Sequence, residues 1–364
     1  MKLLLKASFS RVTGYGNDGI DIARHLDKAG VDVRVMPQYF LPPVPEDFAH
    51  LLTKPLDKTD YDVALQFLPP FFISVREKTS NTHRQQGVPR KVARLHVGWS
   101  MWETSLLERR DMTGHGLGAD PWKLLDLMYV TWPGCADAFR NFAPDLTYRV
   151  LPCGIDGDLY PVVRRQTKGT TKFCMIGELH QRKDPFVAID AFRELKEEHG
   201  DEFDAQLNLK SSIGGLHPDL EDWTPGIKVH QGIWPYEELI RWMQDMDCYL
   251  GPSRGEGNLK PPMEFMATGG TVIVTNWSGP TNWLHPDVAY PLRYTLMPND
   301  PARPDGPMMA RADKEHLKEL MWHVHTHRAE AANKGILAAS WIRQVADWKQ
   351  VIEKLILQLE RDLA

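Results

Sequence analysis

The sequence has no cysteine pair of the C-x-x-C kind. Its four cysteines, Cys135, Cys153, Cys174 and Cys248, are scattered, which argues against a zinc ribbon or a thioredoxin-like redox site and leaves reduced, mostly buried thiols as the expectation. Long apolar runs are missing too. The longest, VALQFLPPFFISV, is interrupted by Gln66, Pro69 and Pro70 and falls short of a bilayer span. The opening MKLLLKASFS carries Lys6 and no extended apolar region, so it does not read as a secretory signal, and a cytoplasmic location is expected. Neither sign of charge dominates: 43 Lys and Arg against 48 Asp and Glu give a net charge of -5, which supplies no global attraction to nucleic acid or anionic lipid. Internal repeats and low-complexity tracts are absent.

What is present reads as a soluble α/β protein. At 364 residues the chain is longer than one core usually grows, so two domains are expected. KLLLKAS is a strand candidate. RVTGYGNDG follows as a glycine-rich loop, then IDIARHLDKAG as a helix stopped by Gly30, then VDVRVMP as a second strand. Further strands at YDVALQF, VARLHVGWS, LDLMYVTW and YRVLPCG complete a first Rossmann-like domain over residues 1–155. PCGIDGDLYPVVRRQTKGTT reads as a linker. Beyond it strands (KFCMIGEL, AQLNLKSS, IKVHQG, CYLGPS, TVIVTNW) alternate with helices (DPFVAIDAFRELKEEHG, YEELIRWMQDM, PPMEFMATGG), which predicts a second Rossmann-like domain over 165–335, the two facing each other across a cleft. The tail AASWIRQVADWKQVIEKLILQLERDL predicts one long amphipathic helix with Trp341, Val345, Trp348 and Ile352 on one stripe.

The stretch SRGEGNLKPPMEFMATGG carries the chemistry. Pro261 and Pro262 suit the first turn of a helix. Backbone amides around Asn258, Leu259 and Lys260 would then converge at its positive end, a ready site for a phosphate oxygen. Glu264, in the first turn, can accept two ribose hydroxyls, and Glu256, on the loop, would face whatever lies beyond the phosphates. The plainer alternative is a dipole-complementing Glu264 and a solvated Glu256.

With seven residues between its glutamates, the stretch resembles the E-x7-E signature of retaining GT-B glycosyltransferases, in particular glycosyltransferase family 4 (group 1). The resemblance places Glu264 on the nucleotide ribose and Glu256 near the donor sugar. GELHQRKDPFVAIDAF resembles the strand, loop and helix in which an Arg and a Lys bind the donor diphosphate, here Arg182 and Lys183; two cations there would offset the charge that grows as the nucleotide leaves. GYGNDG resembles the N-terminal glycine-rich loop, with Gly14 and Gly16 letting backbone approach the phosphates or the acceptor. LPCGID and TNWSGPTNWL resemble segments bordering the linker and following a second-domain strand. His96 in RLHVGW, taken to follow a strand, matches the histidine some members carry near the reacting sugar, and Glu103 in GWSMWET could line the cleft from the other side. The resemblance implies a GT-B architecture whose C-terminal helix, 340–364, crosses back to the first domain. It further implies a sugar transferred from a nucleotide diphosphate, a UDP-sugar being the expected donor, to an acceptor hydroxyl, with retention and without metal or other cofactor. NLKPPMEF departs from the usual spacing residues of the motif, and the first half has no plain H-D pair.

Rival patterns are weaker. DMD (Asp245, Asp247) and DGD (Asp156, Asp158) fit the D-x-D by which metal-dependent transferases hold a divalent ion, but the first ends a helix and the second lies in the linker. In HVHTH a helix would turn His325 away from His323 and His327. GYGNDG has dinucleotide spacing, yet no acid ends the second strand. Residues 76–94 are basic, with Arg84, Arg90 and Lys91 among six cations. They form an acceptor-side candidate that could contact the phosphates of a nucleic acid, as in a phage-type DNA glycosyltransferase acting on hydroxymethylated bases. Membrane insertion is not expected of them. A small metabolite or glycan precursor is the favoured acceptor, and a non-catalytic nucleotide-sugar binding protein is the alternative of another class.

Overall fold

The computed structural model of the chain describes residues 1–57, 60–76, 87–108, 111–112, 121–212 and 224–364. It divides into two units, Met1–Gly154 with Trp348–Ala364, and Ile155–Asp347. No helix among the described residues is long and apolar enough to cross a membrane.

The first unit is built on six parallel strands: β1 (Lys2–Ser10), β2 (Asp32–Leu41), β3 (Tyr61–Phe67), β6 (Ala93–Ser100), β7 (Leu127–Val130) and β8 (Thr147–Val150), in the order β2-β1-β3-β6-β7-β8. β4 (Val75–Arg76) and β5 (Val88–Pro89) form a small separate pair. Alternation along β1 sends Leu3, Leu5, Ala7 and Phe9 into one core and Leu4 into another with Tyr61 and Ala64, as a strand covered on both faces requires.

The helix after β1 begins at Gly14 and runs to Lys28, so GYGNDG is its first turns rather than a loop. Thr13 explains the start: its hydroxyl accepts the Gly16 N–H at 3.1 Å and satisfies one of the helix's orphan donors. A Cβ at Gly16 would come within 2.5 Å of the Ser10 carbonyl oxygen, and one at Gly19 would overlap that of Ser8. These two glycines let the helix lie directly on the end of β1, while a Cβ at Gly14 meets nothing.

The predicted C-terminal helix is two helices, Arg328–Val345 and Trp348–Leu363. The ladder ends because the Ala346 carbonyl accepts the Ile155 N–H at 2.8 Å. The expected stripe therefore splits: Trp341 packs in the second unit, Val345 is exposed, and Trp348, Val351, Ile352, Leu355 and Leu359 are buried in the core of the first unit. Full burial of such side chains contributes about 1.5–3 kcal/mol each.

The second unit has six parallel strands in the order β11-β10-β9-β12-β13-β14: β9 (Thr171–Ile176), β10 (Ala205–Ser211), β11 (Ile227–Gln231), β12 (Cys248–Gly251), β13 (Thr271–Thr275) and β14 (Tyr290–Leu292). An antiparallel hairpin, β15 (Tyr294–Pro298) and β16 (Met308–Ala312), follows. The segment read as a linker belongs largely to this unit. Arg165 is buried, and its guanidinium donates to the carbonyls of Val163, Met243, Met246 and Thr268. Burial lowers its pKa to about 10, which leaves it charged at neutral pH against two helix C-termini, where a cation is favoured.

The glycine packing yields a contrast. Gly19→Ala is expected to destabilise the chain by about 1–3 kcal/mol through overpacking, whereas Gly14→Ala should be neutral or stabilising by up to about 1 kcal/mol. Urea denaturation of the two variants checks this, and equal midpoints would overturn it.

Candidate active site

In the second unit the chain runs from β9 through β10 to β11 on one side, and β12 opens the other side next to β9. Loops leaving the carboxyl ends of β9 and β12 therefore diverge, which makes this edge the topological switch point where open α/β sheets bind ligands. The first loop carries Arg182 and Lys183 ahead of the helix Pro185–His199, and the second carries Glu256 ahead of the helix Lys260–Ala267.

The two loops are joined through Glu256. Its Oε2 lies 2.8 Å from the Arg182 guanidinium and its Oε1 lies 2.7 Å from Lys183 Nζ. Backbone contacts reinforce the joint: the Arg254 N–H donates to the Arg182 carbonyl at 2.8 Å, and Arg182 also donates to the Gly255 carbonyl at 2.6 Å. Glu256 is only 5% exposed, a position a carboxylate tolerates only when paired. Burial pushes its pKa up, but Lys183 and Arg182 outweigh burial and the net shift is downward. One acid thus faces two bases and the cluster carries net positive charge. Three of the sequence-predicted site residues are brought together here.

The helix starts at Lys260, with Pro261 and Pro262 in its first turn. Leu259, just ahead, is left-handed at φ 61°, a conformation that costs a branched residue about 1–2 kcal/mol. Burial of its side chain in the same cluster as Met263 and Trp283 offsets that cost. Asn258 is buried, with its carbonyl accepting from Trp283 Nε1 at 3.2 Å and its amide donating to Met263 Sδ. Glu264 is half-buried and accepts the Tyr236 hydroxyl at 3.5 Å; that hydroxyl also touches Tyr160. Sequence reasoning assigned no role to Tyr236, Ser278 or Gly279. The last two bracket Glu256: Ser278 Oγ accepts its N–H at 2.9 Å, and the Gly279 N–H donates to its carbonyl at 2.9 Å.

Candidates from the first unit are placed differently. His96 does not follow a strand but sits in the first half of β6, 0% exposed, with its imidazole Nε2 bonded to the Arg90 carbonyl at 2.9 Å and its N–H to Asp126 at 2.6 Å. Burial lowers its pKa, and its contacts fix the entry to β6. Arg90 and Lys91 lie in a single turn, Arg90–Val92, where Arg90 pairs with Asp126 at 3.0 Å and Lys91 is exposed. Arg84 lies outside the described residues. Glu103 is half-buried after β6 and, after burial itself, raises the pKa of Tyr15 and Cys135. Gly14 and Gly16 are helical. Asp245 and Asp247 precede the amino end of β12, the end opposite the Glu256 loop, and pair with Lys172 and Arg328. No group of three potential metal ligands occurs among the described residues.

The sign of the Glu256 shift gives a pH prediction. A depressed folded pKa contributes stability that is complete above the ordinary glutamate value of 4.5 and is lost as pH falls through the lower folded value. Glu256→Gln should therefore flatten the acid limb of a plot of urea midpoint against pH. Superimposable acid limbs would contradict the ion-pair account.

Comparison with known proteins follows the same geography. Residues 170–302 match the family described as glycosyl transferases group 1, a stretch holding both site loops. A search of curated proteins found no match. Among solved structures, sucrose-phosphate synthase from Thermosynechococcus elongatus is similar at a TM-score of 0.66 and 13% identity, over 100% of this chain and 99% of that one. HepE from Anabaena, in complex with UDP and glucose, gives a TM-score of 0.59 and 12% identity, over 99% and 100%. WaaG, a glycosyltransferase involved in lipopolysaccharide biosynthesis, gives 0.60 and 13%, over 98% of each chain. At such identities the likeness is one of fold, and that fold is the two-domain α/β architecture of GT-B glycosyltransferases. Residues 170–302 thus match the group 1 glycosyl transferases within a chain of GT-B fold, and the protein is a transferase enzyme.

Proposed function

We propose that the protein moves a sugar from a nucleotide diphosphate, with a UDP-sugar as the donor, to an acceptor hydroxyl, with retention, in the manner of the E-x7-E enzymes of glycosyltransferase family 4. The observation that carries this reading is the convergence of Arg182 and Lys183 on Glu256 at the switch point of the second sheet. A similar fold binds UDP-glucose in HepE, which supports the choice of donor class.

In this reading the donor pyrophosphate rests between the two cations and the amides preceding Pro261, and Glu264 accepts the ribose hydroxyls. The arriving phosphates compete with Glu256 for Arg182 and Lys183, which turns its carboxylate toward the sugar. The bond between C1 of the sugar and the phosphate oxygen breaks while the acceptor oxygen bonds to C1. The departing phosphate takes the acceptor's proton, so no side-chain base is required. Arg182 and Lys183 stabilise charge that grows on the leaving group, a contribution larger in the transition state than in the ground state. No metal is needed for that neutralisation. The acceptor is a small metabolite or a glycan precursor.

The test combines binding and turnover. UDP-, GDP- and ADP-sugars are screened for a rise in melting temperature, which bound ligand produces by mass action, and the stabilising donor is then followed for release of free nucleotide. Glu264→Ala is expected to weaken nucleotide binding about tenfold or more, as loss of charge-assisted hydrogen bonds does. Lys183→Ala should change affinity for the intact nucleotide sugar little, slow turnover by roughly 100-fold, and weaken binding of the free nucleoside diphosphate, whose full charge the lysine meets. Negligible effects from both substitutions would refute the site, and binding without turnover would favour a non-catalytic nucleotide-sugar binder.

A further inference from the structure

Ser278 stands out in the second unit because its backbone occupies a region that side-chain-bearing residues avoid, with φ 61° and ψ -144°. A glycine would adopt this conformation freely. Strain of this kind persists only where the surroundings over-determine it, and it collects at functional sites. Here the surroundings do so. The Ser278 carbonyl accepts both the Thr281 N–H at 3.0 Å and the Thr281 hydroxyl at 2.7 Å. Its own hydroxyl donates to the Trp277 carbonyl at 2.7 Å and accepts from Glu256.

The next residue leaves no slack. Gly279 donates to the Glu256 carbonyl, and a Cβ on it would overlap the Gly257 carbonyl and stand 2.7 Å from the Asn258 nitrogen. Both polar groups of the Glu256 backbone are thus gripped by Ser278 and Gly279, and its carboxylate is gripped by Arg182 and Lys183. A glycine at 278 would satisfy the backbone but leave the Glu256 N–H without its Oγ partner in a buried place, a costly omission.

We infer that Ser278 is a positioning residue for the diphosphate-binding cations: its strained backbone brings Oγ onto the Glu256 N–H, which sets the carboxylate that in turn holds Arg182 and Lys183 ready for a pyrophosphate. The inference rests on the donor-site reading proposed above. Ser278 is itself 1% exposed.

The experiment measures by calorimetry how much tighter the full-length protein binds nucleoside diphosphate than monophosphate, using the uridine, guanosine and adenosine pairs. Ser278→Ala and Ser278→Gly both remove Oγ, but only glycine relieves the strain, so the glycine variant should melt higher than the alanine variant. Both are expected to lose about tenfold of the diphosphate advantage while monophosphate affinity stays unchanged. A purely structural role would instead make the loss follow the melting order, with glycine spared, and that result overturns the inference. Lys183→Ala serves as the reference. If it loses the advantage and both Ser278 variants keep it, only the role of Ser278 fails. Should Lys183→Ala keep the advantage, or the unmutated protein show none with any pair, the donor-site reading fails and takes this one with it.

Discussion

The shared carboxylate of Glu256 is the interaction on which the site depends. An acid at 5% exposure would be pushed toward its neutral form without nearby cations, because a low-dielectric surrounding disfavours charge. Arg182 and Lys183 supply those cations from a different loop, following a different strand. Electrostatics therefore does the work of a covalent tie between two loops. Removing one partner of such a buried group costs far more than the pair contributes, since it strands the other. That asymmetry explains why the two loops close onto one acid rather than each meeting solvent alone.

The helix Lys260–Ala267 is held at both ends by related physics. At its carboxyl end the Ala267 and Thr268 carbonyls accept from Arg343 and Arg165, cations set against the negative pole of the helix. At its amino end Leu259 turns left-handed and buries its side chain, so the entry angle is fixed by packing. The stretch 155–170, polar and rich in glycine, contributes Arg165 to this arrangement. A guanidinium whose donors meet four carbonyls and the Thr268 hydroxyl can be buried where a lysine's compact charge could not be spread so evenly.

Much of this was legible in the sequence, for identifiable reasons. The parallel strands announce themselves as short apolar runs between helical patterns, and Pro261 with Pro262 marks a helix start because only a first turn tolerates them. Glu256, Arg182 and Lys183 were found as a set through resemblance, with no local property linking residues 73 or more positions apart. What stayed hidden depends on partners far along the chain. GYGNDG looks like a loop until Ser8 and Ser10 are seen against Gly19 and Gly16. The tail looks like one helix because its apolar period continues through the point where Ile155 captures the Ala346 carbonyl. His96 looks like a strand-end residue until Arg90 and Asp126 are seen to take its polar groups. Ser278 gives no compositional sign of its backbone angle, since nothing in TNWSGPTNWL marks the serine rather than the glycine as the left-handed position.

The last helix carries a temporal consequence. Trp348, Val351, Ile352, Leu355 and Leu359 fill part of the core that β1 and its neighbours begin. During synthesis those early strands leave the ribosome with that wall of their core still untranslated, and the whole of Ile155–Asp347 must be made before it arrives. The half of the molecule that is born first is therefore the half that finishes last. Until the final turn emerges, its apolar sheet face is the surface that a nascent-chain chaperone would have to shield.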